Sequence, residues 1–138
     1  MKYPKREKEA QEEQMVCLDS DVIIDFLRGD KETVKRIFEI KGSETLLTTS
    51  INSFEIIRGS IRLNYEKGIS FINSLKILNF DFESSKKAAE IFEKLREKGE
   101  SIDPLDLMIA SVAIINNEPL ITRNISHFSR IKELKILS

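Results

Sequence analysis

A chain of 138 residues with 41% apolar side chains is the right size for one domain around a single core. Its 22 Lys and Arg against 23 Asp and Glu leave a formal charge of -1, which excludes the broad basic face of a protein that coats nucleic acid; any such contact has to be local. One cysteine excludes an internal disulfide, and no apolar run approaches the roughly 18 residues of a membrane span, so the composition predicts a reduced, cytoplasmic compartment and no membrane partner.

The first fourteen residues are polar and charged. Lys2, Lys5, Arg6 and Lys8 balance Glu7, Glu9, Glu12 and Glu13, and there is no apolar stretch of the kind a secretory signal needs. They read as a charged N-terminal extension (1–14), with the domain proper running from 15 to 138 and Met15 as a candidate natural start. Met15 to Leu18 is a short continuous apolar run, expected of a strand covered on both faces. A helix is expected from about Asp21 to Leu27, stopped by Gly29, then another over Lys31 to Lys41, where Val34, Ile37, Phe38 and Ile40 recur at helical spacing before Gly42. Thr45 to Thr49 is β-rich. Next comes a helix beginning near Ile51 and running through Phe54, Ile57 and Ile61, with Gly68 separating it from a further helical stretch at Ile69 to Leu75. A strand near Ile77 to Phe80 precedes an amphipathic helix from Ser84 to Lys98 that Gly99 closes. Asp103 as N-cap and Pro104 in the first turn open a helix reaching Asn116, and two short strands follow, Leu120 to Thr122 and Leu134 to Leu137. This βαβα alternation predicts an α/β fold, a Rossmann-like three-layer α/β/α sandwich on a mostly parallel central sheet of roughly five strands.

Four side chains fall where strands end and helices begin. Asp19 follows the first strand directly; Glu55 lies one turn into the helix after the second; Asp106 lies in the first turn of the Pro104 helix; Asn124 follows the Leu120 strand. In an open parallel sheet these positions share the carboxyl edge, where ligands bind. Each also has a plainer account. Asp19 can cap a helix, Asn52 and Glu55 have capping-box spacing, Asp103 and Asp106 can cap together, and Asn124 suits a turn. Asp106 is the most specific, because it shares a face with Ile109, Ala110, Ala113 and Ile114, and an acid at the end of such a stripe needs a cation or strong donors. Three carboxylates and an amide suit Mg²⁺ or Mn²⁺, and no Cys/His cluster offers an ordinary zinc site. Arg28, Arg58 and Arg123 lie near these acids in sequence and are candidate phosphate contacts. His127, the sole histidine, reads as a nearby contact, not a ligand.

The segments Leu18-Asp19-Ser20-Asp21-Val22-Ile23-Ile24, Ser53-Phe54-Glu55-Ile56-Ile57-Arg58-Gly59, Asp103-Pro104-Leu105-Asp106-Leu107-Met108-Ile109-Ala110 and Leu120-Ile121-Thr122-Arg123-Asn124 resemble, in this order, the motifs of PIN-domain ribonucleases, and among them the VapC toxins of prokaryotic toxin-antitoxin pairs. The resemblance spans Met15 onward. It implies a PIN-like fold, Asp19, Glu55 and Asp106 as metal ligands, and Asn124 as a fourth catalytic position. Ser20, where the family often has Thr, joins Thr122 and the three arginines as substrate-binding candidates. It further implies endonucleolytic RNA hydrolysis by metal-activated water, a homodimer, and a VapB-type antitoxin that occupies the cleft. The amide at Asn124 and the histidine at 127, where many relatives carry a further acid, leave one-metal and two-metal chemistry both open.

Two other readings compete. Asp19-Ser20-Asp21 fits the opening motif of haloacid-dehalogenase-like phosphatases, with Asp19 as nucleophile and Asp21 as general acid, but that pattern lacks its later steps. A catalytically inactive PIN-like binding module would need four coincident caps on one sheet edge.

Overall fold

The computed structural model describes residues 14–41, 44–61 and 64–137. The charged segment read as 1–14 therefore lies outside the described residues, except that Gln14 already belongs to the first strand.

Five parallel strands form the sheet: β1 (Gln14–Leu18), β2 (Glu44–Thr49), β3 (Lys76–Leu78), β4 (Leu120–Ile121) and β5 (Ile136–Leu137), ordered β3-β2-β1-β4-β5. Seven helices connect or follow them among the described residues: α1 (Ser20–Leu27), α2 (Lys31–Lys41), α3 (Ser50–Ser60), α4 (Tyr65–Asn73), α5 (Phe82–Glu97), α6 (Pro104–Ile115) and α7 (Ile125–Phe128). The chain winds outward from β1 through β2 to β3, then returns to add β4 on the other side of β1. This reversal is the topological switch point, and it opens a crevice at the carboxyl ends of β1 and β4.

β1 is central, so both its faces are covered. Val16 and Leu18 pack with Val22, Ile23, Ile37, Ile56 and Ile72 from α1, α2, α3 and α4. Cys17 points the other way, into a core built with Ala88, Ile91, Leu95, Leu107, Ile109 and Ala113 from α5 and α6. The Cys17 thiol is fully buried, and that burial pushes its pKa well above the ordinary value. This three-layer arrangement is the one the alternating pattern predicts.

Several boundaries differ for identifiable reasons. Gly68 does not break a helix; it lies inside α4. A Cβ there would come within 2.7 Å of Ser60 Oγ, so glycine lets α4 pass close to the end of α3. The expected strand at Ile77 to Phe80 is Lys76–Leu78, because Phe80 donates its backbone N–H to Ser50 Oγ at 3.1 Å and not to the ladder. The two final strands shrink to Leu120–Ile121 and Ile136–Leu137, and the single turn α7 stands between them. α7 buries only Phe128, too little pattern for sequence periodicity to register.

Candidate active site

Asp19 stands directly after β1 and caps α1. Its Oδ1 accepts from Ser20 N at 2.8 Å and from Asn52 Nδ2 at 3.0 Å, while Oδ2 accepts from Thr122 Oγ1 at 2.7 Å. It is only 5% exposed. Burial raises its pKa from the ordinary 3.8 to about 6, even though the Thr122 hydroxyl, the Ser20 N–H and the Asn52 amide pull the other way.

The capping box expected of Asn52 and Glu55 is built differently. Thr49 is the N-cap of α3 and Asn52 its partner: Asn52 N donates to Thr49 Oγ1 at 3.1 Å, and Asn52 Oδ1 accepts from Thr49 N and Oγ1. With its oxygen facing Thr49, the buried Asn52 amide presents NH₂ to Asp19 Oδ1 and to Ser20 Oγ, the latter at 2.8 Å. Ser20 Oγ in turn donates to Glu55 Oε1 at 2.5 Å. Glu55 is thus released from capping and tied to Asp19 through Ser20 and Asn52. Ser20, expected at the substrate, spends its proton on this link.

A similar release occurs on α6. Asp103 alone caps it, accepting from Leu105 N at 2.8 Å with Pro104 in the first turn. Asp106 is left half-buried, facing other acids. Burial, then the charges of Asp19, Asp103, Glu55 and Asp21, raise its pKa to about 6. Asn124 occupies the N-cap position of α7, yet its side chain makes no capping bond. Its backbone N–H donates to Thr122 Oγ1 at 3.0 Å, so Thr122 connects Asp19 to the Asn124 loop.

Asp19, Glu55, Asp106 and Asn124 line one open depression of about 430 Å³, together with Ser20, Asp21 and Arg123. The four residues picked out by sequence therefore come together. The arginines do not act alike. Arg123 lies on the rim with its Nε 3.0 Å from Asp25 Oδ2; Arg28 lines a neighbouring groove that also reaches Glu55; Arg58 stacks over the Phe54 ring at 5.2 Å, away from the depression's lining. His127 is exposed on α7. Two supports were missed in the sequence, Asn52 and the inward-facing role of Thr122. The Thr49-x-x-Asn52 spacing at a strand end is the signal that could have found the first.

Among the described residues, no three His, Cys, Asp or Glu side chains form a ready-made ligand set. The donor chemistry nevertheless fits a hard divalent cation. The donors are all oxygen, and the burial and like charges that raise Asp106 leave a negative charge of the kind a cation offsets.

With that geometry in hand, the similarities are specific. Residues 16–134 match the model of the PIN-domain family. The chain belongs to that family, which sets the phosphatase reading aside. It is 34% identical over 129 residues to Ribonuclease VapC1 of Methanocaldococcus jannaschii, covering 93% of this chain and 89% of the relative. With Ribonuclease VapC3 of the same organism the identity is 39% over 95 residues, covering 69% and 94%. In shape it is similar to a chain of the VapBC2 complex of Rickettsia felis bound to a DNA fragment from its promoter, with TM-score 0.80, 25% identity, and 90% and 98% of the two chains covered. Within PIN domains, its place is among the VapC ribonucleases.

Proposed function

We propose that this protein is a divalent-cation-dependent endoribonuclease, the toxin of a toxin-antitoxin pair, which hydrolyses RNA phosphodiester bonds in the cytoplasm. The observation that carries the reading is the meeting of Asp19, Glu55 and Asp106 with Asn124 at the switch point of a PIN-family sheet. In this reading Asp19 and Asp106 hold the main ion, Glu55 shares or orients it, and Mg²⁺ or Mn²⁺ is the ion, because both favour oxygen donors. A cation held there supplies Lewis acidity to the scissile phosphate and shields the leaving oxygen.

The protein's own groups do the rest. Asp19 is fixed by Thr122, Asn52 and the Ser20 backbone, so its lone pairs are oriented before anything binds. Ser20 fixes Glu55 in the same manner. Asn124, with its amide free of the helix cap, orients a water or a substrate oxygen. Arg123 on the rim is suited to a substrate phosphate, its present partner Asp25 being exchangeable for one.

A VapB-type antitoxin is the partner this reading requires, and a homodimer the assembly. A groove of about 290 Å³ lined by Ile24, Leu27 and Ile56 together with Glu55 supports the docking of an apolar segment beside the acids. Among the described residues no helix is long and apolar enough to cross a membrane.

The test is cleavage of total RNA by purified protein, with and without EDTA, followed by addition of Mg²⁺ or Mn²⁺. Cleavage should vanish in EDTA and return with either ion. Cleavage that persists in excess EDTA, or in Asp19→Asn, refutes the assignment.

A further inference from the structure

Asn124 leaves one corner of the depression without a charge, and the residue that touches this corner is Asp21, in the first turn of α1. Asp21 Oδ2 accepts the backbone N–H of Arg123, the residue before Asn124, at 3.1 Å. The same oxygen stands 3.4 Å from Thr122 Oγ1, but that hydroxyl has one proton and delivers it to Asp19 Oδ2 at 2.7 Å. Asp21 Oδ1 is different. It is buried and has no hydrogen-bond partner among the described residues.

A buried carboxylate oxygen with no donor is costly, and such orphans call for a cause. An acid in the first turn of a helix has an ordinary one: it interacts well with the helix dipole, and here it also anchors the β4–α7 loop. That account uses the charge and Oδ2. The Val22 N–H beside the carboxylate is given to the Asp19 carbonyl at 3.2 Å, so Oδ1 is left without a donor of its own. What Oδ1 lacks is a positive or proton-bearing partner, and Asp21 sits on the wall shared with Asp19, Glu55 and Asp106.

We propose that Asp21 is the fourth carboxylate of the cation site, supplying through Oδ1, directly or through one water, the charge that Asn124 does not carry. Oδ2 meanwhile holds the Arg123 backbone and so keeps Asn124 in position. The inference rests on the cation-dependent reading above and extends it to a residue outside the expected ligand set. It also gives the site the charge of four acids despite the amide.

Mn²⁺ binding to the full chain, measured by calorimetry and by the electron paramagnetic resonance of free Mn²⁺, tests this without any appeal to activity. Asp21→Asn retains an amide oxygen for the Arg123 N–H and removes only the charge. It should weaken Mn²⁺ binding about tenfold or more. The double variant Asp21→Asn/Asn124→Asp should recover most of the loss, since it returns the charge to the opposite side of the same corner. Asp21→Ser gives the same reading should the amide disturb folding, which circular dichroism checks. Unchanged Mn²⁺ affinity in the folded single variants overturns the assignment and leaves Asp21 a loop anchor. If the wild-type protein binds no Mn²⁺, the cation reading of the whole site falls, and this inference with it.

Discussion

The two ends of the site, Asp19 at the tip of β1 and Asp106 at the start of α6, have pKa values raised to about the same level, chiefly by burial, yet they are held in opposite ways. Asp19 is clamped by three donors from three separate parts of the chain, α1, α3 and the loop after β4. Asp106 has no hydrogen bond offsetting its desolvation among the described residues and faces like charges instead. The fold itself therefore orients Asp19, whereas Asp106 is desolvated among like charges that a cation, in the proposed site, would offset. One carboxylate is organised in advance; the other is not.

The sharpest way to break this contrast is Asp19→Asn. With the amide still able to accept from Ser20 N and Asn52, the fold should survive while RNA cleavage drops to below about 1% of wild type. Thr122→Val comes next. It leaves Asp19 Oδ2 buried without its donor, so cleavage should fall about 10- to 100-fold and stability by about 1–3 kcal/mol in a denaturant titration. Asp106→Asn should also impair cleavage, but in cation-free buffer it should raise Tm, because it removes repulsion without breaking a bond. A Tm lowered as much as in Thr122→Val would erase the distinction between the two ends.

The smallest expected effect is in pH. Both folded pKa values are raised from the ordinary 3.8 to about 6, so the folded protein holds these protons more tightly than the unfolded chain. Stability from them is present below the unfolded value and is lost as pH rises through about 6. Cation-free protein should therefore melt at lower temperature at pH 7 than at pH 5. Added Mg²⁺ should reverse the trend, since it binds the ionised groups, and cleavage should rise over the same interval. A Tm in EDTA that climbs from pH 5 to pH 7 would contradict the sign.

The order of elements was legible because long-range demands agreed with local ones. β1 reads as a buried strand since it is central, and α6 announces itself through Asp103 and Pro104. Asp19, Glu55, Asp106 and Asn124 could be picked out as strand-end and first-turn residues. What could not be read was which of the competing polar residues takes the cap. Thr49 and Asn52 form the capping box and leave Glu55 out of it, and only tertiary contact reveals that Asn52 then turns its amide toward Asp19. Gly68 misled for the same reason: its cause is a neighbour eight residues earlier in sequence, Ser60, and not the backbone. Thr122 and Asp21 gain their meaning from a strand pairing between residues more than a hundred positions apart.

Cys17, buried in the central strand two residues before Asp19, is the chain's only thiol. A reagent can reach it only when β1 parts from the helices over it, so the rate of alkylation counts openings of the sheet beneath the site. The native sequence thus carries its own label for timing those openings with and without a divalent cation, with no engineered probe required.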